Sequence, residues 1–155
     1  MQNSITLNEA EQRLARYLAE AREAHNHQVG ARDVLCADAE RVQNKVEAFG
    51  AEIAYCKIVN CYPNLVTDCF EAFDVRLADG RRVDVKQTIY PQGRLIVKLL
   101  HRAAPDLYAL MVGAFPTYRL AGHIAAADML QEANIDPRLP RPAYAVAQAR
   151  LTVQP

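Results

Sequence analysis

Apolar residues recur every three or four positions along the first third of the chain, and every second position after it. Leu7, Ala10, Leu14, Tyr17, Leu18 and Ala21 mark one face of a helix over 7–28. Thr6 with Glu9 reads as its capping box and Gly30 as its stop. A second stripe, Val42, Val46, Phe49, Ile53 and Cys56, predicts a helix from Asp38 to about Asn60, closed off by Pro63. Gly50 lies inside that helix, where glycine costs about 1 kcal/mol against alanine, so close packing against a neighbour is expected there.

Beyond Pro63 the period is two. Phe70, Ala72, Phe73, Val75 and Leu77 lead into Ala78-Asp79-Gly80 and then Val83, Val85 and Ile89, a hairpin signal. Pro91-Gln92-Gly93 turns into a third strand, RLIVKLL (94–100). The polar HRAAPD separates it from LYALMVG (107–113), apolar enough for a strand buried on both faces. A turn at Phe115-Pro116-Thr117 precedes a fifth strand, YRLAGHIA (118–125), and AADML reads as a short helix. Pro137, Pro140 and Pro142 predict an irregular tail. The expectation is an α+β fold: one domain over 1–155, a mixed five-stranded sheet flanked by helices, its core at about 38–130 and the long first helix an extension.

The 155 residues are 51% apolar, enough for a core and too apolar for wholesale disorder. Acidic and basic residues number 18 each, which excludes a uniformly positive polyanion binder. Neutrality hides an asymmetry. Residues 1–52 carry a net charge of −3, whereas 74–104 carry +4 through Arg76, Arg81, Arg82, Lys86, Arg94, Lys98 and Arg102. A basic middle is the footprint of a polyanionic partner, with a solvated sheet face as the bland alternative. No apolar run approaches the ~20 residues of a membrane span, and MQNSITLNEAEQR lacks the features of a signal peptide, so a cytoplasmic protein is expected. Cys36, Cys56, Cys61 and Cys69 match no common metal signature and read as free thiols.

Asp84-Val85-Lys86 is the only acidic-x-Lys triplet in the chain. On a strand, Asp84 and Lys86 share one face while Val83 and Val85 take the other. Hairpin register then decides what Asp84 meets. A two-residue Asp79-Gly80 loop pairs Asp74 with Val85 and buries a carboxylate among valines, at a cost of several kcal/mol. A three-residue Ala78-Asp79-Gly80 loop pairs Leu77 with Arg81 and Asp74 with Asp84, and gives Gly80 the left-handed position of a bulge. Burial selects the second register and sets two carboxylates side by side. Opposed carboxylates repel, and a magnesium ion between them removes the conflict.

The residues EAFGAEIAYCKIVN, FDVRLADGRRVDVKQT and YRLAGHIAAADML together resemble the PD-(D/E)xK nuclease superfamily, which has a restriction-endonuclease-like fold. The resemblance runs from about Glu47 to Leu130 and also suggests the small stand-alone nucleases of phages. It implies Asp74, Asp84 and Glu52 as magnesium (or manganese) ligands, Lys86 as the catalytic ammonium, and Glu47 as a weaker candidate than Glu52. It implies DNA phosphodiester hydrolysis, with Arg76, Arg81, Arg82, Thr88, Arg94 and Lys98 along the nucleic acid. Phe73 stands where the motif has proline, and the connection HRAAPD replaces a helix. A catalytically inactive binding module is the alternative. The first helix either braces the sheet or makes a homodimer arm. His101 and His123 invite a general-base reading, without a motif around either.

Overall fold

The computed structural model describes residues 4–30, 38–66, 73–99 and 103–154. Two long helices lie on one face of a five-stranded mixed sheet, and a small three-stranded sheet covers part of the other face. The chain opens with a two-residue strand, β1 (Ile5–Thr6), followed by α1 (Glu9–Gln28) and α2 (Asp38–Val59). The helix α1 starts at Glu9, after the expected residue 7. Thr6 is taken by β1, its hydroxyl 3.0 Å from that of Thr117, and the capping box is Asn8 with Glu11. Gly30 follows the helix in the left-handed conformation, φ +69°, as its stop.

The strands β2 (Val75–Arg76) and β3 (Arg82–Thr88) form the expected hairpin. Val75 pairs with Val83 and Arg76 with Arg82. The Leu77 amide donates to the Arg81 carbonyl at 2.9 Å across the Ala78-Asp79-Gly80 loop, with Gly80 at φ +91°. The strands β5 (Leu107–Ala114) and β6 (Thr117–Ala125) complete the sheet in the order β1-β6-β5-β3-β2. The helix α3 (Ala126–Met129) follows β6 directly. The strand β5 runs parallel to β3 and antiparallel to β6, and its first six residues are buried, as expected of a central strand.

Two expectations are corrected here. The third strand, β4 (Leu95–Lys98), does not join the main sheet, where β1 supplies the fifth strand instead. The tail is not irregular: β7 (Ile135–Asp136) and β8 (Ala143–Val146) join β4 in a second sheet of order β4-β8-β7. The three tail prolines precede β8 and leave its ladder with β4 whole, from Leu95–Val146 to Lys98–Ala143.

Each face of the main sheet has its own core. Val83, Val85, Ala109 and Met111 pack towards α2 and α1, through Ile53, Tyr55, Ala15 and Leu18 among others. Tyr108, Leu110, Val112 and Ile124 pack towards Leu95, Val97 and Val146 of the small sheet. The buried stripe of α1 is Ala15, Leu18 and Ala19, with Glu23 continuing it. Tyr17 points away and is 67% exposed, and Ala10 is exposed too. Small residues at 15 and 19 let α1 lie close on α2, so this helix braces the core. Gly50 has the expected close neighbour, since a Cβ there would lie 2.5 Å from Tyr118 Oη. Cys56 is a buried free thiol and Cys61 a half-buried one. Cys36, Phe70, Ala72, Cys69, His101 and Arg102 lie outside the described residues.

Candidate active site

The β2–β3 ladder ends at Asp74. Its amide donates to the Val83 carbonyl at 2.9 Å. The next donor along β3, the Val85 amide, goes to the Asp74 side chain at 2.7 Å rather than to a backbone carbonyl. A carboxylate thus replaces a rung of the ladder.

Asp84 stands opposite Asp74 on β3, as register required. It is only 8% exposed. The cause is the second sheet, which covers the β3 face that carries Asp84 and Lys86. In the parallel pairing, Asp84 lies beside Tyr108 and Lys86 beside Leu110, both buried under that sheet. Lys86 Nζ is 2.5 Å from Asp84 Oδ1. The ammonium is the ionic partner of this buried oxygen.

Asp74 and Asp84 are within hydrogen-bonding reach of each other when a proton lies between them. Burial pushes the Asp74 carboxyl up to about 6, and the Asp84 charge adds to the rise. The Val85 N–H and the Lys86 ammonium oppose it. Glu52, half-buried on α2, belongs to the same electrostatic system. Burial lifts its carboxyl well above the usual range, Asp74 and Asp84 add to the lift, and Arg22 and Lys86 pull it back. Glu52 and Asp74 line one cavity of about 190 Å³ together with Arg22, Lys45 and Asn64. Glu47 points elsewhere: its carboxylate accepts the Phe115 amide at 2.8 Å and holds the β5–β6 turn.

Asp74 and Asp84 are the side chains that could hold a divalent cation. Two adjacent hard oxygen donors suit an ion that keeps most of its waters. Among the described residues, no three His, Cys, Asp or Glu side chains form a group able to hold one ion.

The basic residues are less free than their count suggests. Arg82 pairs with Asp106 at 3.1 Å, Arg81 with Asp79 at 2.7 Å and Arg94 with Asp136 at 2.8 Å. Arg76 donates to the Gly80 carbonyl and lies over the Phe73 ring. The Thr88 hydroxyl receives the Tyr90 amide at 3.3 Å in the turn before β4. Lys98 is exposed and lines a second cavity with Asp84 and Lys86. His123 is 1% exposed, its ring nitrogen 2.9 Å from the Tyr55 hydroxyl, and burial depresses its basicity. It packs on the helix side as a core histidine and lines neither cavity.

Sequence reasoning missed Arg22 and Lys45. A signal for Arg22 existed: Ala15, Leu18, Ala19, Arg22, Glu23 and Asn26 continue one helical face, so polar residues extend the buried stripe of α1 towards Glu52. Among the described residues, no helix is long and apolar enough to cross a membrane. Comparison of the chain with protein families, with curated proteins and with solved structures finds no match.

Proposed function

We propose that this protein is a metal-dependent nuclease of the restriction-endonuclease-like type, hydrolysing phosphodiester bonds in DNA. The observation that carries the reading is the placement of Asp74, Asp84 and Lys86 on one hairpin, with Glu52 coupled to them from α2. Asp74 and Asp84 would hold magnesium or manganese, with Glu52 acting through a bound water. When bound, such an ion supplies Lewis-acid polarisation of the phosphate and a more acidic water.

The chain's own residues have distinct tasks in this reading. Asp74 and Asp84 must shed the proton between them to bind a cation. Lys86 stays beside Asp84 and offers its ammonium to charge developing on the phosphate. Glu52, whose carboxyl is held well above the usual range by burial and the neighbouring carboxylates, would exchange protons with a bound water rather than stay a fixed anion. The Arg22 charge partly offsets the rise at Glu52. Lys98 lies where a phosphate backbone would enter.

The ion-paired arginines favour a second reading, a binding module that retains the fold without the chemistry. Incubation with single- and double-stranded DNA and RNA, with magnesium or manganese against chelator, separates the two. The nuclease reading expects metal-dependent cleavage of DNA that is absent from Asp84→Asn. No cleavage of any of these substrates, and no metal-dependent rise in Tm, would leave the second reading.

A further inference from the structure

Asp84 and Lys86 open into a cavity of about 310 Å³ between the two sheets, on the other side of the carboxylate pair from Glu52. It is lined by Tyr108 of β5, by Val97 of β4 with the neighbouring Ile96 and Lys98 at the strand's exposed positions, by residues 103–105 and by Leu130 after α3. The walls come from different sheets. The pair therefore lies at the base of a cleft rather than on an open convex surface.

The chemistry of the lining is divided. Ile96, Leu130 and the Tyr108 ring offer apolar surface, while Lys86 and Lys98 are its cations and Asp84 its acid. Ile96 is 42% exposed, an apolar side chain held at the rim. That division matches a nucleotide, whose base has apolar faces and whose phosphate is an anion. The volume is near the lower end of the roughly 300–1,000 Å³ of small-ligand sites, which leaves room for one nucleotide.

In a duplex, each base is covered by its stacked neighbours and its partner. It can enter such a cleft only by leaving the stack, whereas a single strand presents its bases already free. We propose that the cleft takes one unpaired nucleotide beside the carboxylate pair, so that the substrate of this site is single-stranded nucleic acid. The inference rests on the nuclease reading for the reacting phosphate, but the binding it describes does not require cleavage.

The test compares a fluorescent oligo(dT) with a blunt duplex of the same length, with chelator present so that nothing is cut. Leu130→Trp fills the cleft, and Lys98→Glu reverses a charge on an exposed side chain that folding does not need. The wild type should bind the single strand at least about tenfold tighter than the duplex, the discrimination expected of one stacked base. Each variant should lower single-strand affinity by about the same factor. The magnesium-dependent Tm shift, measured in parallel, should persist in both variants. Equal affinity for duplex and single strand, indifferent to Lys98→Glu, would overturn the cleft's role while a metal shift with cleavage kept the nuclease reading. Cleft-dependent oligo(dT) binding with neither metal shift nor cleavage would support the cleft and remove the nuclease.

Discussion

Asp74 accepts the Val85 amide at 2.7 Å, so a side-chain oxygen does the work of a strand carbonyl at the point where the hairpin opens. This bond explains how a carboxyl with a raised pKa is tolerated in the fold. Burial and Asp84 disfavour its charge, and the amide partly compensates. It also fixes one oxygen of Asp74, and with it the carboxylate, opposite Asp84 on β3. The site and the register of the hairpin are therefore one structural fact.

Asp74→Asn and Asp74→Ala separate the charge from the hydrogen bond. The asparagine oxygen can still accept the Val85 amide, and the charge opposed to Asp84 is gone. At pH 8 and without metal, Asp74→Asn should be more stable than wild type by on the order of 1–2 kcal/mol. Asp74→Ala deprives the Val85 amide of its acceptor and should be less stable than Asp74→Asn by about 1–2 kcal/mol. Denaturant melts at matched metal-free conditions measure both. If Asp74→Asn proves the less stable variant, the carboxylate is favoured in the fold and the repulsion argument fails.

The raised pKa also predicts a pH dependence whose sign follows from proton counting. Asp74 titrates near 3.8 unfolded and at about 6 folded, so between these values the folded state binds more protons. This group's contribution to metal-free stability should therefore fall as pH rises from 4 through 6 and then level off. Cation binding competes with the same proton, so the magnesium-induced rise in Tm should appear above pH 6 and be lost below it. In Asp74→Asn the magnesium effect should disappear and the fall in metal-free stability should shrink to the share that Glu52 contributes. Thermal melts in series over pH 4–8, with magnesium and with chelator, measure them.

Much of this geometry is legible from the chain because burial and period constrain it jointly. Val83 and Val85 must face the helices, and Gly80 takes a left-handed turn, so Asp74 and Asp84 had to meet. What pattern could not reveal was which sheet a strand would enter. The segment 95–98 alternates buried and exposed like any half-buried strand. Nothing in that alternation distinguishes pairing with β3 from pairing with β8, fifty residues later. The burial of Asp84 was hidden for the same reason, because the strand that lies over its face is β4, held there by its pairing with β8. Periodicity also favoured Tyr17 over Ala15 and Ala19, since it weighs large apolar residues and overlooks small ones that allow helices to approach.

Gly50→Ala tests the contact between α2 and the β5–β6 turn. The added methyl would meet Tyr118 Oη at 2.5 Å and Phe115 Cδ2 at 2.8 Å. Tyr118 is 1% exposed and its hydroxyl donates to the Glu47 carbonyl at 3.1 Å, so it has little room to retreat. The substitution should cost about 1–3 kcal/mol, against a gain in helix propensity of about 1 kcal/mol. A melt no lower than that of wild type would mean that the turn moves aside freely.

The charge census gives the last prediction. Arg81, Arg82 and Arg94 each have a carboxylate partner in the fold, whereas Lys98 is exposed at the cleft beside Lys86. Removing a phosphate contact from a single-stranded complex should lower the slope of log affinity against log salt by about 0.7. Lys98→Ala should produce that change alone. Replacing Arg81, Arg82 and Arg94 together should alter the slope by less than the three contacts would require, because their carboxylate partners are freed and repel the strand. The triple variant should also melt lower, because Asp106 loses both side-chain bonds from Arg82 and Asp136 keeps only Arg138. Titrations of a labelled single strand over a salt series measure the slopes directly. A slope reduced by about 2 in the triple variant, with none lost in Lys98→Ala, would move the backbone path from the cleft to the arginines.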